Sequence, residues 1–161
     1  MRGKRIFLGI GSNIGDRKDN ILKAIDLIGE KVDIENVGGI YLSKAVGFED
    51  QPDFYNTAVS GYTDLSPKEL FLFVKGVEKS MGRVNRFRWG PREIDIDILF
   101  YEDLIFRERD LVIPHPRLHK RDFVLKPLID IDPDLVHPVL KRKLKDIYDF
   151  LDQRSVIRRV L

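Results

Sequence analysis

The chain has 161 residues, of which 43% are hydrophobic and 34% are charged, and its formal net charge at pH 7 is +2. That charge is too small to imply nucleic-acid binding by bulk electrostatics, and no apolar run approaches the roughly 20 residues that span a bilayer. The absence of cysteine excludes disulfides and thiolate metal sites. We therefore expect a single domain over 1–161, cytoplasmic, monomeric and without nucleic-acid or membrane partners.

Apolar periodicity and turn residues predict alternating strands and helices in the first half of the chain. The predicted elements are a strand at 5–10, a helix from Asp16 or Asp19 to Glu30, extended structure at 32–43 and a strand at 54–62. Side chains alternate along a strand, so Phe54, Asn56 and Ala58 should share one face. The Gly-Ser-Asn turn after the first strand lacks the Gly-Lys-Ser/Thr ending of a phosphate loop.

The next helix has clear start and stop signals. Ser66 is the predicted N-cap, Pro67 takes the first helical position, and Glu69 completes a capping box. Gly82 supplies the left-handed stop. Glu78 falls near the end of this helix, where the residues alone favour an exposed glutamate.

The second half begins with a strand at 94–101. The elements predicted after it are a hairpin-like return ending at Ile113, a helix from Phe123 to Ile129 limited by Pro127, a helix from Leu140 to Leu151, and a tail that is either a strand or an unstructured end. The order β-α-β-β-α-β with extra helices predicts an α+β fold of the ferredoxin-like type. In such a fold, helices pack on one face of an antiparallel sheet, and here helical additions would follow at the C-terminus.

The segment from Gly82 to Tyr101 carries the clearest chemical signal. A loop with four arginines and two aromatic residues runs into a strictly alternating strand. The loop residues are Arg83, Arg86, Phe87, Arg88, Trp89 and Arg92; the strand has Ile94, Ile96, Ile98 and Phe100 at one parity and Asp95, Asp97 and Tyr101 at the other. The alternation predicts that the two aspartates point the same way.

Asp95 and Asp97 should lie about 7 Å apart on one face of the strand. Two carboxylates that close repel each other unless a cation lies over both, and Mg²⁺ prefers such oxygen ligands. Guanidinium groups bind phosphate oxygens bidentately. An exposed edge strand beside a solvated arginine loop is the plainer alternative, but the adjacency of the two features favours a site for metal and phosphate.

The motif RWGPREIDIDIL at 88–99 resembles the signature of the 6-hydroxymethyl-7,8-dihydropterin pyrophosphokinase family. Further segments resemble the same family in the same order, over nearly the whole chain: FLGIGSNIGD, DQPDFYNTAV, MGRV, IPHP and RDFVLKPL. The resemblance implies transfer of pyrophosphate from ATP to the pterin hydroxymethyl group, which gives AMP and the pterin diphosphate.

The resemblance also implies a role for individual residues. Asp95 and Asp97 would hold two Mg²⁺ ions, and Arg83 and Arg92 would act on the phosphates with them. The residues implied for ATP binding are Glu78, Arg88, His115 and Arg121, and those implied for pterin binding are Ser43, Val46, Phe54, Asn56, Trp89 and Phe123. In this scheme Phe54 and Phe123 stack on the pterin, and Asn56 reads its edge.

Two other functions fit parts of the pattern. A nucleotidyltransferase or cyclase can also place two carboxylates on a ferredoxin-like sheet for two Mg²⁺ ions, and would release inorganic pyrophosphate. An RNA-binding module can use the same fold with basic and aromatic residues, but Asp95 and Asp97 would repel its phosphates.

Overall fold

A computed structural model of the chain describes residues 3–47, 50–83 and 90–161. The elements in this part are β1 (Lys4–Ser12), α1 (Arg17–Ile28), β2 (Asp33–Val37), β3 (Tyr41–Ser43), β4 (Phe54–Thr63), α2 (Pro67–Ser80), β5 (Asp95–Tyr101), β6 (Phe106–Arg107), β7 (Val112–Ile113), a 3₁₀ helix (Leu118–Lys120), α3 (Asp122–Ile131), α4 (Leu144–Asp149) and β8 (Val156–Arg159). The predicted α+β class is confirmed. Within these residues, no helix is long and apolar enough to cross a membrane.

The main sheet has six strands, and all its pairings are antiparallel. Its order is β5-β1-β4-β3-β8, and β2 also pairs with β4. Strand β1 lies between β4 and β5, so Gly9 is opposite both Ala58 and Asp97. The sequence allowed either a strand or an unstructured end for the tail. The tail forms the strand β8, which pairs with β3. Strands β6 and β7 form the expected hairpin.

Helices cover both faces of this sheet. Ile6, Leu8 and Ile10 of β1 pack in one core cluster with buried residues of α1 and α2. Phe7 belongs to a second cluster, which includes buried residues of α3 and α4. The expectation of helices on a single face therefore holds for α1 and α2 only, and the C-terminal additions form a third layer.

The predicted helix starts are confirmed at atomic level. The side chain of Asp16 accepts a hydrogen bond from the Asp19 backbone N–H at 3.0 Å. Ser66 and Glu69 form the reciprocal capping box, with bonds of 3.2 and 2.9 Å. Gly82 has a φ of +83°, the left-handed conformation expected just after α2.

Two helix predictions after β7 need correction. Helix α3 extends beyond Ile129 to Ile131 and contains Pro127, because the packing of its buried side chains outweighs the one backbone hydrogen bond that proline removes. The last helix is Leu144–Asp149, much shorter than predicted. The residues before it form a turn, in which the His137 carbonyl accepts from the Lys141 N–H at 2.8 Å and Lys141 has a φ of +58°.

The predicted alternation of β5 also breaks near its end. The register between β1 and β5 shifts by one residue, so Leu8 is opposite Ile98 while Phe7 is opposite Phe100. This bulge turns Phe100 to the α3 face and Tyr101 to the α1 face, the reverse of the prediction. The aspartates precede the bulge, so their common direction is unaffected.

Candidate active site

Asp95 and Asp97 project from β5 on the face that α3 covers, while Ile96 and Ile98 are buried on the opposite face. The prediction that the two carboxylates share a face is confirmed. The neighbouring strand β1 has glycine at this face, which leaves room above the sheet. A Cβ atom on Gly11 would lie only 2.6 Å from Asn56 Oδ1, so a larger residue there would displace the asparagine.

One pocket, which we call the aromatic pocket, opens over this surface. It lies between β3, β4 and the start of α3, and its walls include Ser43, Val46, Phe54, Asn56, Arg92, Asp95, Asp97, Arg121 and Phe123. The structure thus brings together five of the six residues predicted for pterin binding, from segments far apart in sequence. Trp89, the sixth, lies outside the described residues.

A second pocket lies between α2 and the β6–β7 hairpin, and we call it the hairpin pocket. Its walls combine apolar, basic and acidic side chains, and include Phe71, Val74, Lys75, Ile98, Arg109, Asp110, Leu111 and His115. Asp97 lines this pocket as well as the aromatic pocket. His115 was predicted to bind ATP and lies here, whereas Arg121, predicted for the same role, lines the aromatic pocket. Arg88 lies outside the described residues.

Two of the predicted arginines converge on Asp95. Arg92 Nη1 lies 3.0 Å from Asp95 Oδ2, and Arg83 Nη2 lies 3.8 Å from Asp95 Oδ1. Both side chains are partly buried, with 27% of the Arg92 side chain and 22% of the Arg83 side chain exposed. The cations predicted for phosphate are therefore held beside the carboxylate pair.

The expectation that Glu78 is exposed is wrong, because only 2% of this residue is exposed. Its Oε1 accepts hydrogen bonds from Arg83 Nη1 at 2.7 Å and Lys75 Nζ at 3.2 Å. Its Oε2 accepts from the backbone N–H of Ile96 at 2.7 Å, between the two aspartates. Both oxygens thus have protein partners, and the carboxylate ties an arginine of the site to strand β5.

The Asp97 carboxyl group has a raised pKa. Burial, and then the negative charge of Asp95, raise the pKa of Asp97 from 3.8 to about 7. The Nε2 atom of His115 lies 3.9 Å from Asp97 Oδ2, whereas Arg92 Nη1 lies 3.0 Å from Asp95 Oδ2. Within the described residues, Asp95 thus has a close arginine partner and Asp97 a longer contact to a histidine.

His115 is neutral at physiological pH, because burial lowers its pKa to about 4. Its Nδ1 accepts a hydrogen bond from the Arg117 backbone N–H at 3.2 Å, so the proton of the neutral ring lies on Nε2. That nitrogen faces Asp97. His115 is thus set up as a neutral hydrogen-bond donor at the junction of the two pockets.

Sequence reasoning missed Asn13, which is 1% exposed and positions Arg92. The Asn13 side chain accepts from the Arg92 backbone N–H at 2.8 Å, and the Arg92 carbonyl accepts from the Asn13 N–H at 3.1 Å. Asn13 Nδ2 also donates to Gln51 Oε1 at 2.8 Å and to the Pro52 carbonyl at 3.0 Å. The Gly-Ser-Asn turn is the sequence signal for this residue, but the turn alone does not indicate which distant backbone groups the Asn13 amide binds.

The donor chemistry of the carboxylate pair fits magnesium. Asp95 and Asp97 are hard oxygen donors on one face, and the raised pKa of Asp97 reflects charge that a cation would compensate. Over the described ranges, no group of three or more His, Cys, Asp and Glu side chains could hold a metal ion. Magnesium commonly binds through one or two carboxylates together with substrate phosphates and water, so a third protein ligand is not required.

Carboxylates flanked by arginines, at the junction of two pockets, are typical of an enzyme that transfers a phosphate-containing group between two substrates. The comparisons with known proteins identify the family. Residues 7–133 match the family model described as 7,8-dihydro-6-hydroxymethylpterin-pyrophosphokinase. The chain belongs to this family.

Individual relatives agree with that membership. The chain is 50% identical over 141 residues, 88% of both chains, to a 2-amino-4-hydroxy-6-hydroxymethyldihydropteridine pyrophosphokinase of Aquifex aeolicus. A Bacillus subtilis protein of the same name is 40% identical over 127 residues, which are 78% of this chain and 76% of that one. A folic acid synthesis protein of Dictyostelium discoideum is 45% identical over 84% of this chain, but only 20% of its own length is matched.

Solved structures show the same fold. A Plasmodium falciparum HPPK-DHPS structure with pterin and p-hydrobenzoate superposes with a TM-score of 0.71 over 91% of this chain and 44% of that chain. The sequence identity is 19%, so this likeness is evidence of the fold alone.

Proposed function

We propose that the aromatic pocket binds the pterin, that the hairpin pocket binds ATP, and that transfer takes place at the carboxylates between them. Family membership makes the chain a pyrophosphokinase of folate biosynthesis, which transfers pyrophosphate from ATP to the hydroxymethyl group of 6-hydroxymethyl-7,8-dihydropterin. AMP and the pterin diphosphate are the products. The observation that carries the proposal is that Asp97 lines both pockets, so two substrates bound in them would meet there.

The walls of the aromatic pocket suit a flat heterocycle. Phe54 and Phe123 offer ring surfaces for stacking, and the amide of Asn56 offers a donor and an acceptor for the pterin edge. Asn56 Nδ2 donates to Ser43 Oγ at 2.7 Å, which fixes how the amide is oriented. Val46 closes the side of the pocket, and Trp89 completes it in this proposal.

The hairpin pocket suits a nucleotide. Its apolar walls can contact the base, and Lys75 and His115 provide donors for the ribose or the phosphates. Arg83, Arg92 and Arg121, with Arg88, would bind the phosphate chain. Arg83 and Arg92 pair with Asp95 in the structure, and phosphate oxygens would offer them equivalent acceptors.

Asp95 and Asp97 would hold Mg²⁺, with two ions expected. When bound, the metal neutralises negative charge on the phosphates of the transferring group. His115 would donate a hydrogen bond to a substrate at this junction without adding a positive charge, because its lowered pKa keeps it neutral. We assign Glu78 to positioning of Arg83 and β5 on account of its burial and its three protein partners. A direct contact with ATP is then not needed to explain this residue.

The pocket assignment is tested by two-substrate kinetics on Phe123→Ala and Lys75→Met. We expect Phe123→Ala to raise the KM for the pterin several-fold, up to about tenfold, because stacking on one ring contributes about 0.5–1.5 kcal/mol. Lys75→Met should raise the KM for ATP alone. The opposite pattern, or an equal change in both KM values for both variants, would contradict the assignment.

The finer expectations from the sequence remain proposals. The order β5-β1-β4-β2 supports a ferredoxin-like core, in which β3 and β8 extend the edge. A monomeric, cytoplasmic protein without nucleic-acid or membrane partners stays a prediction.

A further inference from the structure

Asp122 is a buried carboxylate that has no role in the transfer as proposed above. Only 2% of the residue is exposed, although it lies between Arg121 and Phe123 in sequence, two residues that line the aromatic pocket. It is the first residue of α3, where a negative charge is favoured by the helix dipole. Its side chain points away from the ligand space, toward the C-terminal strand.

Asp122 holds the start of β8 by two hydrogen bonds. Its Oδ2 accepts from the backbone N–H of Ser155 at 2.8 Å and from that of Val156 at 2.9 Å. Hydrogen bonds to a charged acceptor are stronger than those between neutral groups, and here they are shielded from water. The beginning of the C-terminal strand is thus attached to the first turn of α3.

Ser155 and Val156, at the start of β8, are also attached to the opposite wall of the aromatic pocket. The Lys44 backbone N–H donates to the Ser155 carbonyl at 2.9 Å, and Ser43 is opposite Val156 in the strand register. Ser43 in turn accepts the hydrogen bond from Asn56. A continuous set of contacts therefore runs from the α3 wall through the C-terminal strand to the wall formed by β3 and β4.

We infer that Asp122 is a positioning residue for the first substrate, which sets the separation between Phe123 and the Ser43–Asn56 wall by clamping the C-terminal strand between them. The inference rests on the proposed binding of pterin in the aromatic pocket. A flat ligand is sensitive to this separation, because stacking and edge hydrogen bonds are made at the same time by opposite walls. Among the described residues, none that makes these contacts lines the hairpin pocket.

The chain offers a matched control in the same helix. Asp130, near the end of α3, also accepts two hydrogen bonds through one oxygen, from the Gly39 N–H at 3.1 Å and the Tyr41 hydroxyl at 2.6 Å. It attaches α3 to Gly39 and Tyr41 at the start of β3, and through Arg159 at 3.9 Å to the end of β8. These contacts lie at the opposite end of α3 from Phe123, and Asp130 does not line the aromatic pocket. Loss of Asp130 should therefore lower stability without changing the separation between Phe123 and Ser43.

The test measures the KM for pterin, the KM for ATP, kcat and Tm for Asp122→Ala, Asp122→Asn and Asp130→Ala in the full chain. We expect Asp122→Ala to raise the pterin KM about tenfold, equivalent to about 1.4 kcal/mol, with the ATP KM changed less than about twofold. Asp122→Asn, which keeps an acceptor oxygen but loses the charge, should raise the pterin KM only a few-fold. Asp130→Ala should lower Tm with both KM values unchanged.

An unchanged pterin KM in Asp122→Ala, or an equal rise in Asp130→Ala, would overturn the inference, because either result means that the residue serves stability alone. If Asp122→Ala does not fold, Asp122→Asn decides: a pterin KM raised a few-fold with unchanged ATP KM supports the inference, and wild-type values overturn it. Phe123→Ala distinguishes a failure of the pocket assignment from a failure of the clamp alone. If its pterin KM is also unchanged, the pocket assignment itself fails, whereas a raised value in Phe123→Ala alone means that only the clamp fails.

Discussion

Asp97 should destabilise the metal-free protein while serving its activity, and Asp97→Asn tests this directly. The pKa of Asp97 is raised from 3.8 to about 7, a difference of about 3, which corresponds to about 4 kcal/mol. Because 32% of the side chain is exposed, water screens part of this penalty, and we expect about 2 kcal/mol. Asparagine keeps the size of the side chain but carries no charge.

The sign of the pH dependence follows from the raised pKa. A carboxyl group that binds its proton more tightly in the folded state adds stability as the pH falls through about 7 toward 3.8. The wild type should therefore be less stable than Asp97→Asn by about 2 kcal/mol at pH 8, and the difference should shrink as the pH falls toward 4. Other titrating groups are common to both proteins and largely cancel in the comparison.

Urea unfolding in EDTA at pH 8, 6 and 4 measures this difference. Asp95→Asn is the matched control, since Asp95 is paired with Arg92 at 3.0 Å and its neutralisation leaves two arginines without that partner. It should give no gain in stability. Equal or lower stability of Asp97→Asn at pH 8, or a gain that does not depend on pH, would refute the reasoning.

Three further predictions concern residues around the site. Glu78→Gln should lower kcat about tenfold or more with little change in either KM, because Arg83 loses a charged partner, and kcat equal to wild type would contradict the positioning role. Gly11→Ala should raise the pterin KM several-fold, as its Cβ displaces Asn56, and steady-state kinetics with unchanged ATP KM would check this. Ser66→Ala should cost about 1 kcal/mol in urea unfolding with activity retained, and a cost near zero would mean that the capping box contributes nothing.

Local signals were enough to predict the elements whose structure depends on nearby residues. The cap at Ser66, the stop at Gly82 and the common face of Asp95 and Asp97 follow from short-range geometry, and all are confirmed. The bulge after Ile98 is different, because it depends on how β5 meets β1. A one-residue slip in that pairing reversed Phe100 and Tyr101, and strand periodicity alone does not contain it.

In the functional site as well, local motifs predict some residues and miss those that depend on long-range contacts. The motif residues identified the carboxylates and arginines, but the partners that orient them come from distant segments. Asn13 reaches Arg92 across 79 positions of sequence, and Glu78 reaches the backbone of Ile96 across 18. Glu78 lies four residues after Val74 on the buried face of α2, but a glutamate is usually exposed, and the hydrogen bonds to Arg83 and to the Ile96 backbone that compensate its burial depend on the approach of β5.

The central claim is that the carboxylates between the two pockets carry the transfer of pyrophosphate. It is tested most directly by measuring AMP formation from ATP, the dihydropterin alcohol and Mg²⁺ under saturating substrate, for the wild type, Asp95→Asn and Asp97→Asn. We expect AMP and pterin diphosphate in equal amounts from the wild type, and a rate reduced about a hundredfold or more in each variant. Rates within a few-fold of wild type in both variants, or release of inorganic pyrophosphate instead of AMP, would contradict it.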